Sequence, residues 1–530
     1  MSSRNADKKE ITLEYINSKE SGRAKNFLIW QYLKQDITPT QADKAYKQVT
    51  GNDYKIYNRY IKKTKNIDIL KKLSCQKKTN LFDIKEYKCF KSAYSLTKAL
   101  KLTKHKRKKL LSKLKLKKSK EILQLFDEPY SSKTYIKYTP EATLSFFNRS
   151  RTFRRKNLNI DLDKKLINSL STSWRISKFV KHVVNDDKLG KLQISLLNLE
   201  TKNLNSQTIF FLALNHLRYK QENKSIEFFE LSYKKAKKKI DKDKNLFWLY
   251  KTTKKDKYLK KLLASSDINI YTLYAYELSD KKQKNYFTTV KTGFFDSSKT
   301  IFDPFIWNEI KKEIKDTPKN QLFDLAENYS QDNMIPVKTF ILEKAYKYNI
   351  HGFVMPYDEH LKELTNDKKA LVYALMRQES NFIPAALSRS FALGLMQLMP
   401  FLVDALAKDF KEEITYNEMF IPKNNLKYAL KHLKWMEKSL YHPLFMAYAY
   451  NGGMGFLKRH LLSTGKFSSG KHEPFLSMEL MANTESREYG KKVLANYVMY
   501  KRILGEEVSI ITLFDKLINP KHTDRFREQD

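Results

Sequence analysis

Apolar residues along this chain recur at spacings of three and four positions rather than alternating strictly with polar residues. Such spacings place apolar side chains on one face of an α-helix, whereas alternation is typical of half-buried strands. Glycine and proline number only 13 each in 530 residues, so few positions interrupt the periodic segments. The pattern predicts an all-α fold.

The region up to about residue 265 is predicted to contain short helices separated by short polar breaks. Residues 208–239 show the unit: one helix runs up to Tyr219, a turn covers 221–223, and a second helix follows. The apolar stripe of the second helix contains Ile226, Phe229, Tyr233 and Ala236. Because one such hairpin cannot bury both faces, we expect hairpins to stack into an α-solenoid over residues 1–265.

Two further regions follow, and the length of the chain also favours several domains over a single core. Residues 266–350 contain the helical segments NIYTLYAYELS and VKTFILEKAYKYN around a loopier portion, TGFFDSSKTIFDPF, and are predicted to form a linker domain. After HGFVMPYDEH the chain becomes richer in Gly and Met, which indicates a compact third domain over residues 351–530. The tail, residues 506–530, has no predicted role.

The chain carries a formal net charge of +43, and its lysines are densest in KLTKHKRKKLLSKLKLKKSK, residues 101–120. A polyanionic partner is one interpretation. The other, which we favour from the sequence, is an amphipathic helix with a solvated basic face, since five leucines interrupt the lysines: Leu102, Leu110, Leu111, Leu114 and Leu116. No RNA-recognition, zinc-finger or phosphate-loop pattern occurs, so no nucleic-acid partner is predicted.

Cys75 and Cys89 are the two cysteines of the chain, and their spacing does not match a metal site. They form either a disulfide or two buried thiols. No apolar run approaches the length of a transmembrane helix, and the start of the chain has no apolar segment of signal-peptide type. The expectation is a cytoplasmic protein or an exported protein in its mature form, without metal or cofactor.

Glu379 closes the apolar helical run LVYALM. The apolar positions before it cover much of the helix circumference, so its carboxylate borders apolar surroundings and a helix C-terminus, both of which disfavour the charged form. We therefore expect its pKa to be raised, as general-acid cleavage of a glycosidic bond near neutral pH requires. The alternative is a helix-end glutamate that points to water.

Three segments around this residue resemble the motifs of one enzyme family. QESNFIPAALSRSFALGLMQLMP resembles the first motif of the soluble lytic transglycosylases, whose catalytic domains are goose-lysozyme-like. AYAYNGGMGFLKR, residues 447–459, is similar to the A-Y-N-A-G-P-G block of the family, and ELMANTESREYGKKVL, residues 479–494, to its E-x-I-P-F-x-E-T-R-x-Y-V-x-x-V-L block. The three segments occur in the order and spacing of the family.

The resemblance implies roles for individual positions. Glu379 matches the single catalytic acid/base of the family. The substrate-binding positions it implies are Ser388 beside the N-acetyl group of the reacting sugar, Gln397 and Met399 along the glycan groove, Tyr450 facing the catalytic glutamate, and Glu485 behind the sugar-contacting residues. As alternatives, Met399 and Tyr450 are ordinary core residues and Glu485 pairs with Arg487.

The sequence also departs from the family pattern. Phe391 stands where the family usually has Gly, Asn483 where Phe is usual, and Gly453-Met454 replaces Gly-Pro. NNLKYALKHL, residues 424–433, keeps the family's asparagine, but Ala429 replaces its Gly and His432 its Tyr. These departures affect the expected groove shape and substrate preference and leave the acid in place.

The resemblance further implies a helical superhelix and a linker domain that close into a ring with the lysozyme-like domain. It also implies a periplasmic monomer whose export signal has been removed. The implied activity is non-hydrolytic cleavage of the β-1,4 bond between N-acetylmuramic acid and N-acetylglucosamine, giving 1,6-anhydromuramic ends. The implied partners are peptidoglycan strands with acidic stem peptides and other cell-wall enzymes. Alternatives are an inactive cell-wall scaffold, a lysozyme-like hydrolase and a basic nucleic-acid binder.

The carboxylates near Glu379 in the sequence bear on the mechanism. Hydrolytic glycosidases need a second carboxylate near the acid. After Glu379 none appears until Asp404 and Asp409, which lie beyond GLMQLMP and are expected on a solvent-facing helix. One carboxyl group is therefore expected to serve both half-reactions.

Overall fold

The structure is a computed structural model that describes residues 10–293, 301–463 and 465–528. In these ranges it contains 31 α-helices, five short 3-10 helices and one parallel pair of two-residue strands, β1 (Tyr286–Phe287) and β2 (His351–Gly352). The 3-10 helices are Lys319–Gln321, Asp332–Met334, Asp358–His360, Asn417–Phe420 and Pro520–His522. The predicted all-α fold is confirmed.

The first nineteen helices pack mainly against helices one or two positions away along the chain. They are α1 Leu13–Asn17, α2 Arg23–Tyr32, α3 Pro39–Tyr46, α4 Tyr54–Tyr60, α5 Ile67–Lys77, α6 Tyr87–Ala93, α7 Leu96–Leu100, α8 Lys104–Lys113, α9 Lys117–Leu125, α10 Ser132–Tyr135, α11 Pro140–Phe147, α12 Arg151–Asn157, α13 Lys164–Leu170, α14 Ile176–Val184, α15 Gly190–Leu196, α16 Ser206–Arg218, α17 Glu222–Lys235, α18 Lys239–Thr253 and α19 Asp256–Leu263. The predicted hairpin is α16 and α17, which pack against each other.

A separate small apolar cluster lies inside this series, formed by α5 to α9. Buried residues such as Leu81, Phe90 and Leu110 contact one another and not the main core. Cys75 and Cys89 form a disulfide beside them, with a Cα–Cα distance of 5.2 Å, so the thiol alternative is wrong. The amphipathic interpretation of residues 101–120 holds in part, since Leu110 and Leu114 are buried whereas Leu116 is 70% exposed.

The middle of the chain contains α20 Ile270–Leu278, α21 Pro304–Asp316, α22 Leu322–Glu327 and α23 Ile335–Ala345. α21 to α23 enclose a second apolar cluster, around Trp307, Ile310 and Val337. Ile383 and Ala385, which follow the helix of Glu379, also belong to this cluster. Of the loopier segment predicted here, residues 294–300 lie outside the described part. The proposed domain boundaries at 265 and 350 stay a prediction.

The last part of the chain contains α24 Asn366–Ser380, α25 Pro400–Phe410, α26 Pro422–Met436, α27 Pro443–Gly452, α28 Met454–Leu461, α29 Phe475–Glu479, α30 Thr484–Ile503 and α31 Ile510–Lys516. α30 is buried along most of its length and packs against both α24 and α27. This packing brings the three segments that resemble family motifs to one place. None of the described helices is long and apolar enough to cross a membrane.

The tail beyond residue 505 is also folded. α31 packs against α20, and the carboxylate of Glu277 on α20 accepts hydrogen bonds from the backbone N–H groups of Ile510 and Ile511 at 2.8 and 3.3 Å. Those groups are free donors at a helix N-terminus, which a carboxylate satisfies well. The tail therefore joins the end of the helical series to the C-terminal domain.

Candidate active site

Glu379 lies in the last turn of α24, as the sequence predicted. The buried residues of this helix include Leu371, Val372, Leu375 and Met376, which fix the helix against the core. The helix ends at Asn381, whose left-handed conformation (φ 50°) turns the chain away. Glu379 is partly buried and hydrogen-bonded, so the alternative of a glutamate that points to water is wrong.

Three neighbouring effects set the protonation of Glu379. Burial raises the pKa of its carboxyl group to about 7. The hydroxyl of Tyr489 donates a hydrogen bond to Oε1 at 2.7 Å and opposes this rise in pKa, whereas the negative charge of Glu485 adds to it. A carboxyl with a pKa near 7 populates both protonation states at neutral pH, so one group can donate and then accept a proton.

Tyr489 is the functional residue that sequence reasoning missed. It lies inside the third family-like segment, on α30, and is 6% exposed. A signal was present: Tyr489 follows Glu485 by four positions, a spacing that puts both side chains on one face of a helix. Because Tyr489 binds Oε1, it leaves the other oxygen of Glu379 for proton transfer.

Tyr450, on α27, faces the same site. Its hydroxyl donates to the backbone oxygen of Met396 at 2.7 Å. Burial is the main cause that raises the pKa of its phenol, and the charge of Glu379 adds to the rise. The tyrosine thus bonds to the segment GLMQ and lies near the carboxyl group of Glu379. The role of Tyr450 towards a sugar stays a prediction.

The loop from 386 to 399 is held largely by its own polar side chains. Ser388 Oγ accepts hydrogen bonds from the N–H groups of Ser390 and Ala392 at 3.1 and 2.9 Å. The amide of Gln397 donates to the carbonyls of Ala386 and Gly394 at 3.0 and 2.8 Å. Both side chains therefore support the loop in this structure.

Met399 is, with Gln397, one of the two loop residues expected along the groove. It is half-buried and directly precedes α25. No hydrogen bond joins Glu379 to Ser388, Gln397 or Met399 within the described residues. Their contacts with a glycan, like those of Glu485, remain predictions.

Asn425 fixes the other side of this loop. It is fully buried, accepts from the N–H of Met396 at 2.8 Å and donates to the carbonyls of Leu393 and Met419 at 2.9 and 2.8 Å. Gly394 beside it has φ +72°, and a Cβ there would lie 2.2 Å from the Met419 oxygen. The asparagine and the glycine kept from the family pattern are thus explained by close backbone packing.

Phe391, the main departure from the family pattern, has a partner in the N-terminal helices. Its backbone is left-handed (φ 62°), yet its ring is only 1% exposed. Ring centroids of Phe27 and Trp30 on α2 lie 5.3 and 5.4 Å away, and Lys55 Nζ lies 4.9 Å from the centre of the Phe391 ring. Arg23 adds a hydrogen bond to the Leu387 carbonyl at 2.9 Å. The loop that carries Ser388 is therefore anchored to α2.

Glu485 bears on two expectations. Arg487 pairs with Glu488, with Nε and Oε1 2.7 Å apart, so the predicted alternative of a Glu485–Arg487 pair is wrong. Asp404 and Asp409 are exposed on α25, as expected. Exposed Glu485, however, lies close enough to raise the pKa of Glu379. The carboxylates considered from the sequence were those that follow Glu379 directly, and Glu485 is a more distant one whose charge reaches the acid.

Of the remaining departures, Asn483, His432 and Ala429 lie in defined local environments, and nothing in the structure explains why Gly453-Met454 replaces Gly-Pro. Asn483 caps α30 by accepting from the N–H groups of Glu485 and Ser486. His432 stacks on Trp435 at 5.5 Å and lies 6.0 Å from Tyr450. A groove of about 440 Å³ between α25 and α26 is lined in part by His432 and Trp435, so it adjoins the tyrosine of the site. Ala429 is buried in α26, where a larger side chain would displace the core.

No group of three or more His, Cys, Asp or Glu side chains suited to a metal ion occurs among the described residues. The chemistry that this site can perform is proton transfer by Glu379. The carboxyl group is held at one oxygen, has a pKa near neutrality, and sits beside a loop whose backbone is fixed by Asn425 and α2.

Comparisons with known proteins match a part of the chain that contains Glu379 and Tyr450. Residues 359–472 match the family described as Transglycosylase SLT domain. The soluble lytic murein transglycosylase of Escherichia coli K12 is 26% identical over 212 residues, 39% of this chain and 32% of the relative. A putative soluble lytic murein transglycosylase of Haemophilus influenzae is 28% identical over 208 residues, 37% of this chain and 33% of the relative. The match thus spans about a third of the relatives' length.

Solved structures resemble the chain over nearly its whole length. An inactive mutant of the lytic transglycosylase Slt from Pseudomonas aeruginosa superposes with a TM-score of 0.51 at 12% identity, covering 94% of this chain and 84% of that one. The 70 kDa soluble lytic transglycosylase of E. coli gives 0.50 at 15% identity, covering 96% and 85%. At these identities the likeness shows a shared fold, which confirms the expected helical architecture at that level, while the closure into a ring stays a prediction.

Proposed function

We propose that this chain, which carries a Transglycosylase SLT domain, is a lytic transglycosylase that cleaves peptidoglycan between N-acetylmuramic acid and N-acetylglucosamine. The observation that supports this most is Glu379 itself, which lies within the matched residues 359–472 and is a partly buried carboxyl group with a pKa of about 7 and a hydrogen bond from Tyr489. The product proposed is a 1,6-anhydromuramic end.

The proposed reaction uses Glu379 twice. In the first half, protonated Glu379 gives its proton to the oxygen that leaves C1 of the muramic residue, and the acetamido oxygen of the same sugar stabilises C1 from the opposite side. In the second half, ionised Glu379 takes the proton of the C6 hydroxyl as that oxygen forms a bond to C1. The acetamido group is released, no water is consumed, and Glu379 ends protonated again.

The surrounding residues have positioning roles in this proposal. Tyr489 keeps Oε1 of Glu379 bonded in both protonation states, while Ser388 and Tyr450 orient the acetamido group. Ser388 Oγ accepts two backbone hydrogen bonds, which leaves its own proton to donate to the sugar. Gln397 and Met399 form the wall of the glycan groove, and Glu485 keeps the pKa of Glu379 high.

A lysozyme-like hydrolase is the second candidate, because Glu485 supplies a carboxylate near the acid. In that case Glu485 would activate water or bind the cationic sugar. An inactive scaffold of the same fold is the third, motivated by the departures at Phe391 and Ala429. The transglycosylase and the hydrolase differ in the product they release, whereas the inactive scaffold gives no turnover.

The remaining proposals concern location and substrate. A disulfide such as Cys75–Cys89 persists in oxidising compartments, which supports a periplasmic enzyme. The net charge of +43 favours substrates with carboxylates, such as the stem peptides of peptidoglycan. We propose that the protein acts on these strands as a monomer.

The test is solubilisation of purified sacculi by the full chain. Glu379→Gln keeps an oxygen acceptor for Tyr489 but removes the proton donor, so we expect binding to sacculi to persist and turnover to fall at least about 1,000-fold. Glu363→Gln, the same change at an exposed glutamate of the same domain, is the control and retains full activity. Turnover by Glu379→Gln equal to that of the parent would refute the role of Glu379, and an inactive parent would favour the scaffold.

A small-molecule probe is available from one structural neighbour. The 70-kDa soluble lytic transglycosylase has been solved in complex with bulgecin A. We expect bulgecin A to inhibit solubilisation of sacculi by this chain. Full activity in saturating bulgecin A would contradict a site of the same kind.

A further inference from the structure

The helices α5 to α9, residues 67–125, form a unit that the activity does not use, and we call it the basic module. It has its own apolar cluster, around Leu81, Phe90 and Leu110, and the Cys75–Cys89 disulfide beside that cluster. α9 attaches it to the rest of the protein by packing against α11. The module is thus a small folded unit with a surface of its own.

The module is far more basic than the rest of the chain. It contains 19 Lys and Arg against 4 Asp and Glu, so about a ninth of the chain carries +15 of the net charge of +43. Fourteen of its lysines are exposed: Lys71, Lys72, Lys77, Lys78, Lys85, Lys88, Lys91, Lys101, Lys104, Lys106, Lys108, Lys109, Lys115 and Lys117. Within the described residues, none of the fourteen forms an ion pair.

The basic side chains that support the fold of the module are different ones. Lys113 donates to the Phe82 carbonyl at 2.8 Å, Lys98 to the carbonyl of Lys78 at 2.8 Å, and Arg107 binds the Asp127 carboxylate. Among the fourteen exposed lysines, Lys104 also donates to the Asp127 carbonyl at 3.2 Å, and the other thirteen side chains form no hydrogen bond within the described residues. So many unpaired positive charges on a small unit repel one another. A polyanionic partner would neutralise them, so the charge pattern indicates such a partner.

Large apolar side chains are exposed among these lysines. Leu116 is 70% exposed between Lys115 and Lys117, and Tyr87 is 40% exposed with Lys115 Nζ 4.1 Å from its ring centre. On α5, Ile67 and Leu70 are 68% and 44% exposed. Exposed apolar residues flanked by lysines are the composition of protein segments that lie in the headgroup region of a membrane.

We propose that the basic module is a docking surface for anionic phospholipid membranes. Phosphate headgroups would neutralise the lysines, and Leu116 and Tyr87 would enter the boundary between headgroups and acyl chains. The cations are 18 Lys and one Arg. Lysines act as point charges and suit a diffuse anionic surface, whereas nucleic-acid recognition relies on bidentate Arg and on stacking.

A polar anionic polymer fits the module less well than a membrane does. Peptidoglycan or nucleic acid would satisfy the lysines but would leave Leu116 and Ile67 without an apolar partner. The proposal is independent of the chemistry at Glu379, because the helix of Glu379 packs into a different apolar cluster through Leu375 and Met376.

The test is sedimentation of the full chain with phosphatidylcholine vesicles that contain about a third phosphatidylglycerol, and with vesicles of phosphatidylcholine alone. We expect binding to the anionic vesicles only, weakened as ionic strength rises from about 0.1 to 0.5 M because salt screens the attraction. Lys115→Glu with Lys117→Glu is expected to weaken the partition coefficient at least ten-fold. Leu116→Ser is expected to lower the partition coefficient several-fold, both at low and at high salt, because salt does not screen the apolar contact.

Lys255→Glu with Lys257→Glu is the matched control. These are also two exposed lysines at the start of a helix, α19, but they lie outside the module, and their change is expected to leave most of the binding intact. Equal loss in the control would show that net charge alone drives binding and would overturn the proposal. Absence of vesicle binding would overturn it too. So would a result in which the module variants reduce binding to sacculi or duplex DNA but leave vesicle binding unaffected.

Discussion

At the scale of single residues, the protonation of Glu379 results from its burial and from two residues of α30, Tyr489 and Glu485, which shift its pKa in opposite directions. The sequence predicted a raised pKa because the apolar positions of α24 were visible in the helical pattern. It could not predict the opposing effects of Tyr489 and Glu485 on this pKa, because they depend on how α30 packs against α24. Tyr489 and Glu379, which share a hydrogen bond, are 110 residues apart in the chain. Local pattern thus identified the acid, and tertiary packing set its environment.

Glu379→Gln is expected to stabilise the protein at alkaline pH. The pKa is about 7 in the fold against 4.5 for an ordinary glutamate. Between these pH values the native state binds more protons than the unfolded state, so the parent loses stability as pH rises, by about 3 kcal/mol in total. The variant does not titrate there. Its calorimetric melting temperature should exceed that of the parent at about pH 8 and equal it at about pH 4, and the reverse order would contradict the buried acid.

Tyr489→Phe and Glu485→Gln are expected to shift the pH profile of kcat/KM in opposite directions. The first removes a bond that favours ionised Glu379, so the basic limb of the profile moves up by about half to one pH unit. The second removes a repelling charge, so that limb moves down by a similar amount. The profiles are measured as turnover of soluble glycan strands. A loss of more than about 100-fold in Glu485→Gln, without such a shift, would instead make Glu485 a second catalytic carboxylate.

At the scale of elements, the loop between α24 and α25 is the part of the site that the sequence predicted least well. Phe391 was recognised as a departure, but nothing local indicates that α2, more than 350 residues earlier, provides its pocket. The left-handed backbone at Phe391 is unfavourable for an aromatic residue and is retained because burial of the ring offsets it. The loop and the helix therefore stabilise each other.

Replacing Phe391 separates ring packing from backbone strain. Phe391→Ala removes the buried ring and keeps a Cβ at φ 62°, so a loss of about 3 to 5 kcal/mol is expected. Phe391→Gly loses the same ring but accepts that φ, and should be about 1 kcal/mol more stable than the alanine variant. Urea unfolding measures both, with Phe401→Ala, at a 69% exposed ring, as the unchanged control. An alanine variant more stable than the glycine variant would contradict strain at this position.

At the scale of the whole molecule, helical content and the order of the regions followed from periodicity and from the family resemblance. The contacts between distant regions did not. α2 reaches the loop at Phe391, and α20 reaches α31, so both ends of the helical series touch the C-terminal part. These contacts support the proposed ring. The separate core of the basic module was also not predicted, because its leucines follow the same pattern as those of the main core.

Removal of the disulfide is expected to affect only the basic module. Cys75 and Cys89 close a loop of 14 residues, worth about 3 kcal/mol by chain entropy. In Cys75→Ser with Cys89→Ser, hydrogen exchange should accelerate across residues 67–125 and stay unchanged in α24 and α30, with turnover preserved. Acceleration in α24 and α30 as well would show that the module and the catalytic domain unfold as one unit.

In the proposed mechanism, Glu379 alone serves both halves of a non-hydrolytic cleavage. The most direct measurement is mass spectrometry of muropeptides released from sacculi by the full chain in water enriched in heavy oxygen. We predict muramic ends that lack one water relative to the reducing sugar and contain no heavy oxygen. Reducing muramic ends that carry one heavy oxygen as the sole product would contradict the account and identify a hydrolase.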